Sequence, residues 1–349
     1  MTQNQPFMKL NEWSPVRWTL VAVALCVAFS LYLFLFLSPC RLDKTAYLNV
    51  YPGDTQAKVL NRLKEAGHLS STARVGFLLG LVHYSDNVRT GQYALTPGIS
   101  AFRIVRMLRS GHQTPVQLTF NNVRTVEELS GRLSTQLMAD SATLLRCFRD
   151  SSWRDSLSLD EASYVSIFIP DTYEVYWNIS PEKLRGKMVK AWRYFWDETR
   201  MKEASRLGLT PAQVSTLASI VEEETKKADE MPKVAGLYLN RLRMDMPLQA
   251  DPTVKFAVGD FTLRRILREH TLVRSPYNTY RVIGLPPGPI RIPSKQALDA
   301  TLHAQRHSYL YMCAKDDFSG YHAFATTYQQ HEANAVRYRQ ALNANGIMR

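Results

Sequence analysis

From Trp18 to Leu37 the chain carries no Asp, Glu, Lys or Arg. At about 1.5 Å per residue, a helix of that length crosses a hydrocarbon layer of about 30 Å. The run therefore predicts a transmembrane helix over 18–38, a cytoplasmic tail over 1–17, and a separate folded body after the membrane. Lys9 and Arg17 flank one end and Arg41 and Lys44 the other, so the positive-inside rule alone scarcely orients the helix. The free amino terminus and Asp43 tip it towards N-terminus inside, which puts the large domain outside the cytoplasm. A cleaved signal peptide fits less well, because the run exceeds a usual h-region and no small-x-small site follows it. Leu37-Ser38-Pro39-Cys40 weakly resembles a lipoprotein processing site, and Pro39 fits that poorly.

The whole chain has 349 residues, enough for two domains or one elaborated domain beyond the membrane, and a formal charge of +12. That charge suits an anionic partner: nucleic acid, lipid head groups or an acidic wall polymer. No CxxC pair, zinc-finger spacing or basic low-complexity tract supports nucleic acid beyond the charge itself. Cys147 and Cys313 lie in the bulk domain. Nothing in their spacing requires a disulfide, and two unpaired buried thiols is the simpler reading.

After the membrane the pattern is strand, turn, helix, helix, strand. Tyr47 to Tyr51 is extended, Pro52-Gly53-Asp54 is a turn, and Thr55 caps a helix carrying Ala57, Leu60 and Leu63. A second helix follows over Thr72 to Val82, and Gln92 to Leu95 returns as a strand. This βααβ order resembles the LysM fold, a module that binds N-acetyl sugars, and we assign it to 47–120. The same region includes a helix begun by Ser100 and closed by Gly111, then a strand from Val116 to Phe120. From Thr125 the pattern is mostly helical, so 121–349 reads as a connector and a mixed helical and strand domain, α+β in class.

Thr210 to Thr225 is the stretch with most chemistry. Thr210, Pro211 and Gln213 mark a helix start with a capping box. Val214, Leu217, Ala218 and Val221 then form one apolar stripe. At about 100° per residue Glu223 points away from that stripe, while Glu222 and Glu224 flank it. A carboxyl on such a flank, held in a poorly hydrated cleft, stays protonated near neutral pH and serves as a general acid. Further on, Met246 to Val254 reads as a loop dense in Gln, Asp and Thr, able to line a cleft for a polyhydroxylated ligand. Ser275 to Tyr280 and Gly284 to Ile290 are loops stiffened by proline and glycine, on which tyrosines can stack against sugar rings. Ile169 to Tyr173 is turn-like.

Together, Ala218 to Glu224, Asn240-Arg241-Leu242, Leu248 to Val254, Tyr277-Asn278-Thr279-Tyr280, Gly284 to Ile290 and His322-Ala323-Phe324 resemble the YceG-like family of endolytic murein transglycosylases, from about Tyr47 to the C-terminus. Asn121-Asn122-Val123 and Ile292-Pro293-Ser294 depart from that family's pattern. The resemblance implies an inner-membrane, single-pass enzyme whose catalytic domain lies in the periplasm or otherwise outside the cytoplasm. It further implies cleavage of the β-1,4 bond from N-acetylmuramic acid to N-acetylglucosamine in peptidoglycan glycan strands, leaving 1,6-anhydro ends. Its catalytic glutamate falls on Glu222, with Glu224 as supporting partner, raising the pKa of Glu222 if both enter one cleft. Gln249, Asp251, Tyr277 and Asn278 are candidate sugar contacts. The implied reaction calls for no metal and no cofactor, and peptidoglycan synthases are candidate neighbours. Two rivals stay open: a non-catalytic tethered wall-binding protein, and a hydrolase using Glu222 with Asp251 or Asp171.

Overall fold

The computed structural model describes residues 15–69, 71–263 and 265–346, so most of the expected tail, Lys9 included, lies outside the described residues. Contacts divide the chain into two compact units. One runs to Val116 and takes in Tyr176–Asn178, and the other comprises Gln117–Val175 and the chain from Ile179. The class is mixed α and β, as the sequence predicts.

The first unit contains α1 (Pro15–Phe36), β1 (Ala46–Val50), α2 (Gln56–Ala66), α3 (Ala73–Leu81), β2 (Gly91–Leu95) and α4 (Ala101–Ser110). Helix α1 is long and apolar enough to cross a membrane and buries none of its own residues in protein. The expected strand-helix-helix-strand order is present, with β1 and β2 antiparallel in a register that pairs Leu48 with Tyr93. The turn before α2 closes because Asp54 Oδ2 accepts the Tyr51 N–H at 2.8 Å and Gly53 sits at φ +75°. Thr55 then caps α2 by accepting from the Lys58 N–H. Val50, Val59, Leu63, Val75, Leu79, Leu95 and Leu108 meet in the core, each wholly removed from solvent.

The second unit contains most of β3 (Pro115–Thr119), α5 (Val126–Ser134), α6 (Ser141–Arg149), α7 (Ser151–Asp155), most of β4 (Thr172–Tyr176), α8 (Pro181–Phe195), α9 (Glu198–Leu207), α10 (Pro211–Glu224), α11 (Met231–Arg243), α12 (Asp251–Val258), α13 (Lys295–Leu302), β5 (Tyr311–Ala314), β6 (His322–Ala325) and α14 (Tyr328–Ala344). Strand β3 pairs with β4, and β5 pairs antiparallel with β6. Tyr173, expected in a turn, is a strand residue.

Helix α10 is the axis of this unit. Its capping box is formed, with the Gln213 N–H donating to Thr210 Oγ1 and the Thr210 N–H donating to Gln213 Oε1 at 2.9 Å. The single apolar stripe does not describe it, because every residue from Val214 to Glu222 is buried. Small and hydroxylated residues make this possible. Ser215 and Thr216 return their hydroxyls to carbonyls one turn back. Ser219 Oγ takes the Ile290 N–H at 3.0 Å and so ties the Gly284–Ile290 loop to the helix. Burying Leu217, Ile220 and Val221 contributes about 1.5–3 kcal/mol each. Helix α11 crosses beside α10 and approaches the chain near Gln305 so closely that a Cβ on Gly236 would lie 2.2 Å from the Gln305 carbonyl oxygen. The stretch Met246–Val254 is only half a loop: Ala250 caps α12 and Pro252 fills its first turn, so Asp251 begins a helix.

Candidate active site

Because α10 has no solvent face near its C-terminal end, its three glutamates enter protein surroundings in different directions. Glu222 is buried, and its Oε2 accepts the Ser294 N–H at 3.0 Å and lies 3.5 Å from Arg291 Nε. Glu223, which the helical wheel sets opposite the apolar stripe, is held by two guanidinium groups. Its carboxylate pairs with Arg291 Nη1 at 2.6 Å and Arg124 Nη2 at 3.2 Å. Burial pushes the Glu223 carboxyl up, but Arg124, Arg291 and Lys226 outweigh it and hold it below its ordinary value. Arg291 also donates to Asn122 Oδ1 at 3.1 Å. Glu222 and Glu223 thus share one cleft with Arg124, Lys226 and Arg291.

Glu224 enters a different cavity, of about 270 Å³, with Tyr238, Arg241, Gln249, Asp251, Tyr280 and His322. Tyr238, on the facing side of α11, donates its hydroxyl to Glu224 Oε1 at 2.9 Å. Burial pushes the Glu224 carboxyl from 4.5 up to about 7, the Tyr238 bond and His322 oppose that, and the charges of Asp251 and Glu223 add to it. The expected arrangement, with Glu224 tuning Glu222 inside one cleft, is therefore corrected: the two side chains face different clefts, and Glu224 carries the raised pKa.

Arg241 builds the wall of this cavity. It donates to the carbonyls of Leu310, Pro247 and Leu248 at 2.6, 3.1 and 2.9 Å, pinning the loop before α12 against the entry to β5. Gln249, held at φ +51°, is exposed at the rim, its N–H donating to the Thr279 carbonyl. Asp251 Oδ1 accepts the Tyr280 hydroxyl at 2.6 Å. On the remaining side, His322 donates its backbone N–H to Glu230 Oε1 at 2.7 Å, with Nδ1 2.9 Å from Oε2 of the same buried carboxylate. Burial works against the imidazolium, but Glu230 and then Glu224 outweigh it and raise the His322 pKa. The cavity therefore combines one carboxyl able to hold a proton near neutrality with several fixed polar groups.

The sequence pattern of the YceG-like family matches residues 48–337. The chain belongs to the YceG-like family. It is 25% identical over 327 residues to a Bacillus subtilis protein named endolytic murein transglycosylase, across 88% of this chain and 89% of that one. A protein of the same name from Streptococcus pneumoniae is 25% identical over 333 residues, 84% of this chain but 58% of that longer protein. A crystal structure of a YceG-like protein from Listeria monocytogenes superposes with a TM-score of 0.54 at 24% identity, covering 83% of this chain and 99% of that one, which speaks to the fold alone.

Within this YceG-like chain, one of the expected sugar contacts, Asn278, is enclosed in protein, and Tyr277 is half-buried. Asn278 is wholly buried, donating to the Thr271 and Val273 carbonyls at 3.0 and 2.8 Å and accepting from the Tyr280 N–H. Tyr277 packs its ring 4.6 Å from Phe256. Asp171 pairs with Lys295 Nζ at 2.6 Å, and it lines neither cleft. The sequence reading missed Tyr238, Arg241, Tyr280 and Glu230. Asn240-Arg241-Leu242 and Tyr277 to Tyr280 were visible as motifs, but nothing local says which side chain of each faces the cavity. Both departures from the family pattern touch the other cleft, through Asn122 on Arg291 and the Ser294 N–H on Glu222. Cys147 and Cys313 are free thiols. A larger cavity of about 650 Å³ by the N-terminus of α10 has no titratable side chain in its lining.

Proposed function

We propose that this chain is an endolytic murein transglycosylase that cuts the β-1,4 bond between N-acetylmuramic acid and N-acetylglucosamine in peptidoglycan, with Glu224 as its acid and base. A half-buried carboxyl with a pKa near 7, in a cavity rich in hydrogen-bonding groups, is the observation that carries this proposal. Glu222, the position given by the family resemblance, is committed to Ser294 and Arg291 and stands in another cleft.

With Oε1 held by Tyr238, the other Glu224 oxygen gives its proton to the leaving O4 as the C1–O4 bond breaks. The resulting carboxylate then takes the proton of the muramyl C6 hydroxyl as that oxygen bonds to C1, which closes the 1,6-anhydro ring and restores the acid. The nucleophile belongs to the substrate, so one carboxyl suffices where ordinary glycosidases use two. Gln249, Asp251 and Tyr280 supply acceptors and donors for sugar hydroxyls. Helix α1 serves as a single membrane anchor with the catalytic unit outside the cytoplasm, and the βααβ unit serves as a LysM-like module near the glycan.

Asp251 in the same cavity is what a hydrolase would use as its second carboxyl. Product chemistry separates the two. The purified full chain is incubated with peptidoglycan and the sugar ends are read by mass spectrometry, beside Glu224→Gln and Glu222→Gln. Internal 1,6-anhydro ends that disappear in Glu224→Gln and persist in Glu222→Gln support the proposal. Reducing ends would replace it with hydrolysis, and loss only in Glu222→Gln would move the acid back to Glu222.

A further inference from the structure

Helix α3 is apolar on both sides. Val75, Leu78 and Leu79 enter the core, while Phe77 and Leu81, one turn apart on the opposite face, are 59% and 62% exposed. A helix with apolar residues all round is normally covered on every side. Within the same unit, Phe102 on α4 is 41% exposed. These exposed rings adjoin the last turn of α1. The Phe77 ring lies 6.1 Å from that of Phe34, and the Phe102 ring 5.8 Å from that of Phe36. Arg74 caps the end of α1, donating to the Leu33 and Leu37 carbonyls at 3.4 and 2.9 Å. Arg106 and Arg109 follow Phe102 along its stripe of α4 at helical spacing, and both are exposed.

The length of α1 sets the depth of this patch. Twenty-two residues span about 33 Å, close to a hydrocarbon thickness of about 30 Å, so Phe34 and Phe36 fall at the membrane interface. Side chains in ring contact with them stand at the same depth. Aromatic rings and arginines are the residue types that settle there, the rings at the head-group boundary and the guanidinium groups reaching the phosphates. We propose that Phe77, Leu81 and Phe102, with Arg74, Arg106 and Arg109, form a membrane-seated surface that rests the first unit on an anionic lipid leaflet. The lipid is the occupant because the patch is continuous with the anchor and its charges are all positive. This inference rests on α1 spanning the membrane.

The test uses the full chain in vesicles of phosphatidylethanolamine and phosphatidylglycerol containing a lipid with a photoactivatable diazirine on its acyl chain. After irradiation, lipid adducts are mapped by peptide mass spectrometry. Adducts are expected on 15–36 and also on 73–81 and 101–110. Those on α3 and α4 should fall several-fold when phosphatidylcholine replaces phosphatidylglycerol, or in the variant Phe77→Ser with Leu81→Ser. Adducts on α1 alone would overturn the proposal and leave the anchor standing, whereas none on α1 would overturn the anchor and the proposal together. Labelling of α3 unaffected by lipid charge would refute the role of the arginines. Absence of lipid adducts on α3 together with a dimeric mass by sedimentation, lost in Phe77→Ser with Leu81→Ser, would assign the patch to a second chain.

Discussion

Replacing Glu224 by Gln is expected to stabilise the fold at alkaline pH while abolishing the proposed chemistry. The carboxyl ionises near 4.5 in the unfolded chain and near 7 in the native state. Between those values the native state holds more protons than the unfolded state, so stability falls as pH rises and levels off above about 7. Worked through at about 1.4 kcal/mol per pH unit, ionising the native carboxyl costs about 3 kcal/mol. Gln keeps the acceptor for the Tyr238 hydroxyl and does not ionise. Its advantage over wild type therefore opens from pH 4.5 and is complete above 7, on the order of 5–10 °C in Tm for a unit of this size. Glu222→Gln makes the opposite prediction, because it removes a charge facing the buried Arg291; a loss of about 1–3 kcal/mol is expected. The assay is thermal unfolding of the full chain from pH 5 to 9, followed by tryptophan fluorescence. If Glu224→Gln and wild type run parallel across that range, the assignment of a raised pKa to Glu224 is refuted.

Tyr238→Phe removes the donor that favours the charged form of Glu224, so its pKa is expected to rise further. The alkaline limb of the pH–rate profile, in which activity falls as the acid ionises above about 7 in wild type, should move to higher pH; a limb that moves down would contradict this. Arg291→Met leaves the Glu222 and Glu223 carboxylates without their shared cation and is expected to cost about 3–5 kcal/mol by denaturant midpoint. Adding Glu223→Gln to it should recover part of that loss, read as a double-mutant coupling. Gly236→Ala drives a methyl group against the Gln305 carbonyl and should destabilise by about 1–3 kcal/mol, seen as a lower Tm.

Local signals carried a good share of the fold. Thr55, Ser100, Thr125 and Thr210 all cap helices where hydroxyl residues precede apolar periodicity, and Gly111 closes α4 in the left-handed conformation. Helix α12 was hidden because Asp251 and Pro252, inside a polar segment, read as a turn. They also suit a first helical turn, in which the Thr253 hydroxyl is hydrogen-bonded to the Thr279 hydroxyl at 2.8 Å. The wheel drawn for α10 sets Glu223 opposite the apolar stripe but cannot show that Arg124 and Arg291 enclose that face.

The sequence by itself determined where several helices begin and end, which run is apolar enough to cross a membrane, and that three carboxylates end α10. Those properties depend on side chains within a few positions of one another, through caps, periodicity and backbone preference. Which carboxylate holds a proton was decided only by the tertiary structure. Burial of Glu224 and the groups that modulate it, Tyr238, Asp251 and His322, come together from α11, α12 and β6. The guanidinium that claims Glu222 and Glu223 comes from residue 291, nearly seventy positions away. Desolvation and charge act through space, so three neighbouring glutamates acquire different chemistry from the segments that happen to enclose each one.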